Sequence, residues 1–260
     1  MATFLFDEII FGPVKSRRLG VSLGINLLPV ARKICNFNCI YCECGLTGDT
    51  KALKGKLPSR KDVYKALEMK LSEMKARGEK PDVITYAGNG EPTLHPDFPG
   101  IIDDSIVLRN KYFPKAEIAV LSNATTITDR RIREALLKTD KNILKLDSAI
   151  GSTVTLHNNP NGNPDINELI RNLAAFEGKV IIQTMFLRGE YAGKIIDNTT
   201  PEELSAWIEA IKTIKPSEVM IYTISRDTPE GGRLVKVPEK ELRAIAEIVE
   251  KAGFRTQVSA

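Results

Sequence analysis

Seven short apolar runs recur along the chain at steady intervals: VSLGINLL (21–28), DVITYA (82–87), EIAVLS (117–122), NILKLD (142–147), KVIIQTMF (179–186), EVMIYTI (218–224) and FRTQVS (254–259). Each is bounded by polar or turn residues, as buried strands are. Helical patterns fill the gaps. Over 59–77, Val63, Ala66, Leu67, Leu71 and Met74 recur at spacings of three and four, Ser59 and Asp62 form a capping box, and Gly78 supplies a stop. A second helix starts at Thr200 as N-cap with Pro201 in its first turn, and carries Leu204, Trp207, Ile208 and Ile211 as its apolar stripe. Further helices are predicted over 98–112, 129–139, 164–177 and 238–252.

Strands alternating with helices make a mostly parallel sheet, because a parallel connection needs a crossover long enough to hold a helix. About six such units predict an α/β fold: a partial (β/α)6 TIM-like barrel with outer helices, short of the full eight. No linker, repeat or low-complexity stretch divides residues 1–260, so one domain is expected. The composition, 42% hydrophobic and 27% charged, is that of an ordinary globule. No apolar run reaches the roughly 18 residues of a membrane span. The opening MATFLFDEIIFGPVK lacks a basic leader and a small-residue cleavage site, so a cytoplasmic location is expected. A net charge of +4 permits an anionic substrate without requiring one.

All four cysteines lie in KICNFNCIYCECG (33–45), directly after the first strand and hence at the end of the sheet where such folds place their active sites. In a reducing compartment clustered cysteines bind metal or do redox chemistry more often than they form disulfides. Thiolates suit zinc, copper(I) and iron-sulfur clusters. Closed zinc sites usually take two close pairs of ligands, and here a second pair is missing. Cys44, His95 or His157 remain open as a fourth ligand, which leaves a zinc-binding, nucleic-acid-associated module as the rival reading. A cubic iron-sulfur cluster takes one cysteine per iron, so three cysteines would leave one iron open.

The spacing CNFNCIYC (Cys35, Cys39, Cys42), with Tyr41 before the third cysteine, resembles the cluster loop of the radical S-adenosylmethionine (radical SAM) superfamily. The resemblance continues through YAGNGEP (86–92) and LSNAT (121–125), and covers nearly the whole chain. FGPVKSRRLG, GNGEPTLHPDF and MIYTISRDTPE look like a compact single-domain subgroup distantly related to wybutosine tRNA-modification enzymes. The resemblance implies one 4Fe-4S cluster on Cys35, Cys39 and Cys42, with S-adenosylmethionine chelating the open iron. One electron then cleaves the sulfonium to methionine and a 5′-deoxyadenosyl radical, which abstracts hydrogen from a substrate. It also implies a cofactor-binding set of Tyr41 beside the adenine, Asn89, Gly90 and Glu91 for the amino group, Ser122 and Asn123, and Lys145, Asp147 and Ser148 after the fourth run. An electron donor such as flavodoxin or ferredoxin is expected.

After three ligands only Cys44 remains, so this chain cannot build a second cysteine-ligated cluster. In the family it resembles, sulfur insertion, methylthiolation and the four-demethylwyosine reaction rely on an extra cluster, and methyl shuttling relies on two spare thiols, so the resemblance argues against all four here. Simpler hydrogen-atom chemistry is expected, on a small molecule or on a macromolecular partner such as a glycyl radical enzyme or tRNA. Cys44, His157 and Asp147 are the candidate catalytic groups, with His157 read as a loop residue more often exposed than reactive. Two long connections, 186–200 and 225–238, are read as binding loops. They bring Arg188, Arg226 and Arg233, with Asp227 to orient one of them, as candidates for a substrate carboxylate or phosphate. Gln183, Tyr222 and Thr223, polar within apolar strands, must find hydrogen bonds and are expected at the cavity or cofactor. Lys15, Arg17 and Arg18 form a small basic cluster before the first run.

Overall fold

A computed structural model of the chain describes residues 4–47, 56–226, 228 and 233–260. Its sheet begins with a hairpin, β1 (Ile10–Ser16) antiparallel to β2 (Gly20–Ile25). From β2 the strands run parallel: β3 (Val83–Tyr86), β4 (Glu117–Ser122), β5 (Lys141–Lys145), β6 (Ile181–Tyr191), β8 (Glu218–Thr223) and β10 (Thr256–Ser259). The crossovers carry α1 (Arg60–Ala76), α2 (Phe98–Tyr112), α3 (Arg130–Leu136), α4 (Gly151–Asn158) with α5 (Ile166–Ala174), α6 (Pro201–Ile214) and α7 (Glu239–Lys251). The result is a curled, open half-barrel with its helices outside, as expected. Side chains bridge its two edges: Gln257 Nε2 donates to Arg18 O at 3.0 Å, and Arg17 Nη1 to Ala260 O at 3.0 Å.

The start signals act as read. The Ser59–Asp62 capping box is formed, and the Thr200 hydroxyl accepts from Glu203 N. Differences arise where tertiary pairing overrides local pattern. The run expected to end at 186 continues to Tyr191, and 186–200 folds back as β7 (Lys194–Asp197) on β6. Segment 225–238 contributes β9 (Leu234–Lys236) to the other side of the same strand. Both expected loops are therefore partly sheet. β1 escaped notice because Gly12 and Pro13 interrupt it; its register slips between Phe11 and Val14, and proline is tolerated on an edge strand. Gly24 of β2 admits the Phe11 ring, which would stand 2.1 Å from a Cβ there.

Period two sorts the sheet into two faces. Leu23, Ile25, Ile84, Ile118, Leu144, Ile182 and Val219 point outward and join the main core with Val63, Leu71, Trp207 and Leu242 of the helices. On the inner face Val83, Ala119, Ile143, Ile181 and Met220 form a separate apolar floor. Two residues further along each of those strands stand Thr85, Leu121, Lys145, Gln183 and Tyr222, so the inside turns mostly polar one layer above the floor. Among the described residues no helix is long and apolar enough to cross a membrane.

Trp207 ties α6 to the sheet: its ring meets Phe186 edge-on at 5.2 Å, and its Nε1 donates to Thr184 Oγ1 at 3.1 Å. Trp207→Ala should cost about 3–5 kcal/mol in urea unfolding followed by circular dichroism. A loss under about 1 kcal/mol would show that this contact does not anchor the helix.

Candidate cofactor and substrate site

The cysteine loop leaves β2 through Asn26, whose Oδ1 accepts from Leu28 N at 3.2 Å and from Asn89 N at 3.1 Å. Ile34 then pairs with the chain leaving β3, donating to Asn89 O at 2.8 Å and accepting from Glu91 N at 3.0 Å. Gly90 lies at the centre of this bridge with φ +133°, and a Cβ there would stand 1.8 Å from Ile34 O. Glycine is required for that approach of two backbones. Further on, the loop docks on the end of α4. Asn38 N donates to Asn158 O at 2.9 Å and Ile40 N to His157 O at 3.0 Å, which satisfies carbonyls that a helix end leaves free.

Held this way, Cys35, Cys39, Cys42 and Cys44 line one cavity of about 310 Å3, together with Glu91, Asn123 and Lys145. Burial and the nearby Glu91 push the Cys35 thiol up to about 12, and burial raises Cys39. The neighbouring Cys44, with Lys33, holds Cys42 below its ordinary value, while Cys42 and burial raise Cys44. Lys33, buried, donates to Gly45 O at 2.8 Å. Asn123 Nδ2 lies 3.6 Å from Cys35 Sγ and Asn158 Nδ2 3.5 Å from Cys39 Sγ, so donors already face two of the sulfurs.

Glu91 is buried, and its carboxylate accepts from Thr93 N at 3.1 Å, Thr93 Oγ1 at 2.5 Å and Asn123 N at 2.6 Å. These donors are neutral, and burial raises its pKa. A buried carboxylate met by neutral donors complements a cationic ligand group. Asp147 is arranged differently. Lys145 Nζ reaches it at 3.3 Å, Asn158 Nδ2 at 2.7 Å and Met185 N at 2.9 Å, and the Tyr41 hydroxyl also donates to it. Burial would raise its pKa, but Lys145 and these donors outweigh that and hold it below the usual carboxylate range. The same hydroxyl accepts from Lys145 Nζ at 2.8 Å, so Tyr41 offers the cavity its ring.

Of the expected cofactor set, Tyr41, Gly90, Glu91, Ser122, Asn123 and Lys145 line the cavity, as do Gln183 and Tyr222. Asn89 points elsewhere: its amide pairs with both backbone groups of Phe6 at 2.8 Å and with Pro29 O at 3.0 Å. Ser148 donates to Glu203 of α6 at 2.6 Å, and Asp147 is covered by its four donors. The Thr223 hydroxyl bonds Phe186 O and Val237 N. Neither histidine reaches the cysteines. His95 bonds Pro58 O at 2.8 Å and Asp97 N at 3.1 Å. His157, read as a loop residue more often exposed, sits fully buried in the last turn of α4, and neither ring nitrogen has a hydrogen-bond partner.

Arg188, expected on substrate, instead binds Asp197 at 3.2 Å and Glu241 at 2.7 Å, joining β6 and β7 to α7. Arg233 is exposed, and Asp227 lies outside the described residues. Arg226 lines a neighbouring cavity with Lys15, Arg17 and Arg18. Lys33 and Asn158 carry no signal in the sequence. A buried lysine has no periodic signature, and the asparagine-rich segment after His157 has the composition of a turn.

Among the described residues no three His, Cys, Asp or Glu side chains converge tightly enough to hold a single metal ion. The three thiols instead stand around a cavity, an arrangement that suits one cysteine per iron of a larger cluster. A sequence profile of the Radical SAM superfamily matches residues 32–197, from the cysteine loop through β7. The chain belongs to the radical SAM superfamily. Membership implies an enzyme of S-adenosylmethionine radical chemistry, with a 4Fe-4S cluster and S-adenosylmethionine as its cofactors.

Two curated relatives are similar to this chain over most of its length. A UPF0026 protein of Methanocaldococcus jannaschii is 30% identical over 238 residues, covering 90% of this chain and 68% of that protein. A protein of Brachyspira hyodysenteriae named GTPase Obg is 32% identical over 225 residues, covering 84% of this chain. The chain spans only 30% of the length of that second relative. The fold also resembles the crystal structure of a radical SAM methyltransferase from Sphaerobacter thermophilus, with a TM-score of 0.66 at 13% identity, over 92% of this chain and 65% of that one.

His157 supplies a test of the docking beneath the radical SAM loop. Burial pushes its pKa down from 6.5 to about 4. Below 6.5 the unfolded chain takes up a proton that the folded chain refuses, so this contribution to stability is complete above pH 6.5 and is lost as pH falls toward 4. The expected loss is about 3 kcal/mol. His157→Leu should flatten that part of the stability profile, measured by denaturant unfolding at a series of pH values. An unchanged slope would show that His157 is not the group responsible.

Proposed function

We propose that residues 1–260 act as one radical SAM core that binds a single 4Fe-4S cluster through Cys35, Cys39 and Cys42, and removes a hydrogen atom from a substrate held over the polar layer of the half-barrel. The observation that carries this reading is the convergence of those three thiols and the buried Glu91 on one cavity at the strand exits. When bound, the cofactor pair supplies a 5′-deoxyadenosyl radical by one-electron cleavage of S-adenosylmethionine; the protein supplies binding, orientation and exclusion of side reactions.

Each role follows from a contact. Glu91 is the counter-charge for a ligand ammonium, and Ser122 and Asn123 offer the cavity amide and hydroxyl groups beside it. Asn123 and Asn158 direct N–H groups toward the Cys35 and Cys39 sulfurs, which favours thiolate over thiol. Lys33 and Lys145 add positive charge to the same wall. The Lys145–Tyr41–Asp147–Asn158 network keeps the Tyr41 ring in one orientation. Cys44, with its sulfur 3.5 Å from Gly88 O, is the one further thiol at the cavity and a candidate hydrogen donor. A flavodoxin or ferredoxin class protein is the proposed reductant. The reaction is of the oxidoreductase or transferase kind, in the cytoplasm, on a small molecule or on a protein or tRNA partner.

The test is anaerobic reconstitution with iron and sulfide, reduction with dithionite, and assay of 5′-deoxyadenosine released from S-adenosylmethionine. The parent protein should release it, and Cys35→Ala, Cys39→Ala and Cys42→Ala should each fall to background. A colourless protein that never releases it would sink this reading, and a variant with full turnover would remove that cysteine from the ligand set.

A further inference from the structure

Beside the cysteine cavity lies a larger one of about 570 Å3, within the range of small-molecule sites. Its walls come from the β1–β2 hairpin, the N-terminal segment and the loop after β8. Arg18, Glu43, Ala87 and Leu121 line both cavities, so a ligand in one abuts the other. The charges in this lining are unequal: Lys15, Arg17, Arg18 and Arg226 against Glu43. Glu43 is already bound to Arg226, at 2.6 Å. The other cations meet no carboxylate side chain within the lining. Arg17 Nη2 donates to Ser225 Oγ at 2.7 Å, and Arg18 donates to Gln183 Oε1 at 3.1 Å while its guanidinium lies 4.5 Å from the centre of the Tyr222 ring. Lys15 is exposed.

Part of the lining is aromatic. Phe6 stacks on Phe11 at 3.7 Å, Phe4 meets Phe6 edge-on at 4.9 Å, and Phe4 remains 52% exposed at the cavity. A guanidinium stacked on Tyr222 is held with its N–H groups in a fixed plane, which suits bidentate recognition of a carboxylate or phosphate. The aromatic wall then suits an apolar or planar body attached to that anion.

We propose that this cavity is the substrate site, and that the substrate is an organic anion carrying a carboxylate or phosphate on an apolar or aromatic body. Arg18 anchors the anion at the junction of the two cavities, Lys15 and Arg17 complete the positive wall, and Phe4, Phe6 and Phe11 hold the body. This assignment rests on the radical SAM reading for what happens to the substrate, but the binding itself does not require the cluster.

The experiment therefore measures binding alone, by titration calorimetry of the full chain with three probes: 1-naphthyl phosphate, 1-naphthoate and the neutral 1-naphthalenemethanol. Both anions should bind saturably, at least about tenfold tighter than the alcohol. Lys15→Gln, at an exposed position where folding is not at risk, and Arg18→Gln should each weaken the anions several-fold and leave the alcohol unchanged. Cys35→Ala should bind the anions like the parent chain. Whichever anion binds tighter names the substrate's charged group. Equal binding of the alcohol, or anion binding that neither charge variant alters, would overturn the proposal. Loss of 5′-deoxyadenosine formation with intact anion binding would count against the radical reading and leave this one standing.

Discussion

The site depends on a single backbone junction, where Ile34 is laid between Asn89 and Glu91 with Gly90 at the crossing. Each main-chain hydrogen bond there is worth only about 0.5–1.5 kcal/mol net. Their geometric effect is larger than their energy. The junction sets the first cysteine of the loop and the buried carboxylate at adjacent positions, so the sulfurs and Glu91 share one reference point. No side chain can replace Gly90 without parting those two strands of chain. The second support, from α4, acts in the same way: its terminal carbonyls accept from the loop, so the second half of the cysteine motif is fixed to the barrel wall and not to solvent.

Charge organises what this backbone holds in place. Four groups that would each be costly to bury alone, Lys145, Asp147, Tyr41 and Asn158, satisfy one another in a closed network. Glu91 lacks such a network and is met by neutral donors, so the buried carboxylates on the two sides of the cysteine loop stand in different surroundings. Asp147 keeps its charge and orients its neighbours. Glu91 lines the cavity without a cationic partner, and the proposed ammonium contact falls to it. Arg18 lines both cavities and rests on Gln183 and Tyr222, so a positive group stands at their junction.

Much of this was legible in the sequence for physical reasons. The parallel strands are buried on both faces and read as continuous apolar runs, and α1 and α6 announce themselves by Ser59 and Thr200, whose capping chemistry is local. The cysteine triad was equally plain, because ligand spacing is a property of the chain itself. What escaped depends on partners distant in sequence. β1 is a strand because β2 lies beside it, despite Gly12 and Pro13. The extension of β6 exists because β7 and β9 pair on its two sides, which turned Arg188 from an expected substrate clamp into an ion-pair link to α7. His157 and Ser148 look like rim residues until α4 forms with His157 turned inward and Glu203 of α6 meets Ser148. Asn89, within a stretch that looks like a ligand turn, holds Phe6. Of the polar residues inside apolar strands, Gln183 and Tyr222 reach the cavity, because the alternation that puts them on the inner face also built the apolar floor beneath them; Thr223, one position out of step, bonds Phe186 O and Val237 N instead.

The central claim is that three cysteines of this chain hold a four-iron cluster whose fourth iron is open to S-adenosylmethionine. Mössbauer spectroscopy of the protein reconstituted anaerobically with iron-57 measures this directly, before and after the addition of S-adenosylmethionine. The account predicts four irons and four sulfides per chain, with the signal of one iron moving on addition while the other three stay in place. Four irons that all ignore S-adenosylmethionine, or a protein that takes up no cluster, would contradict it.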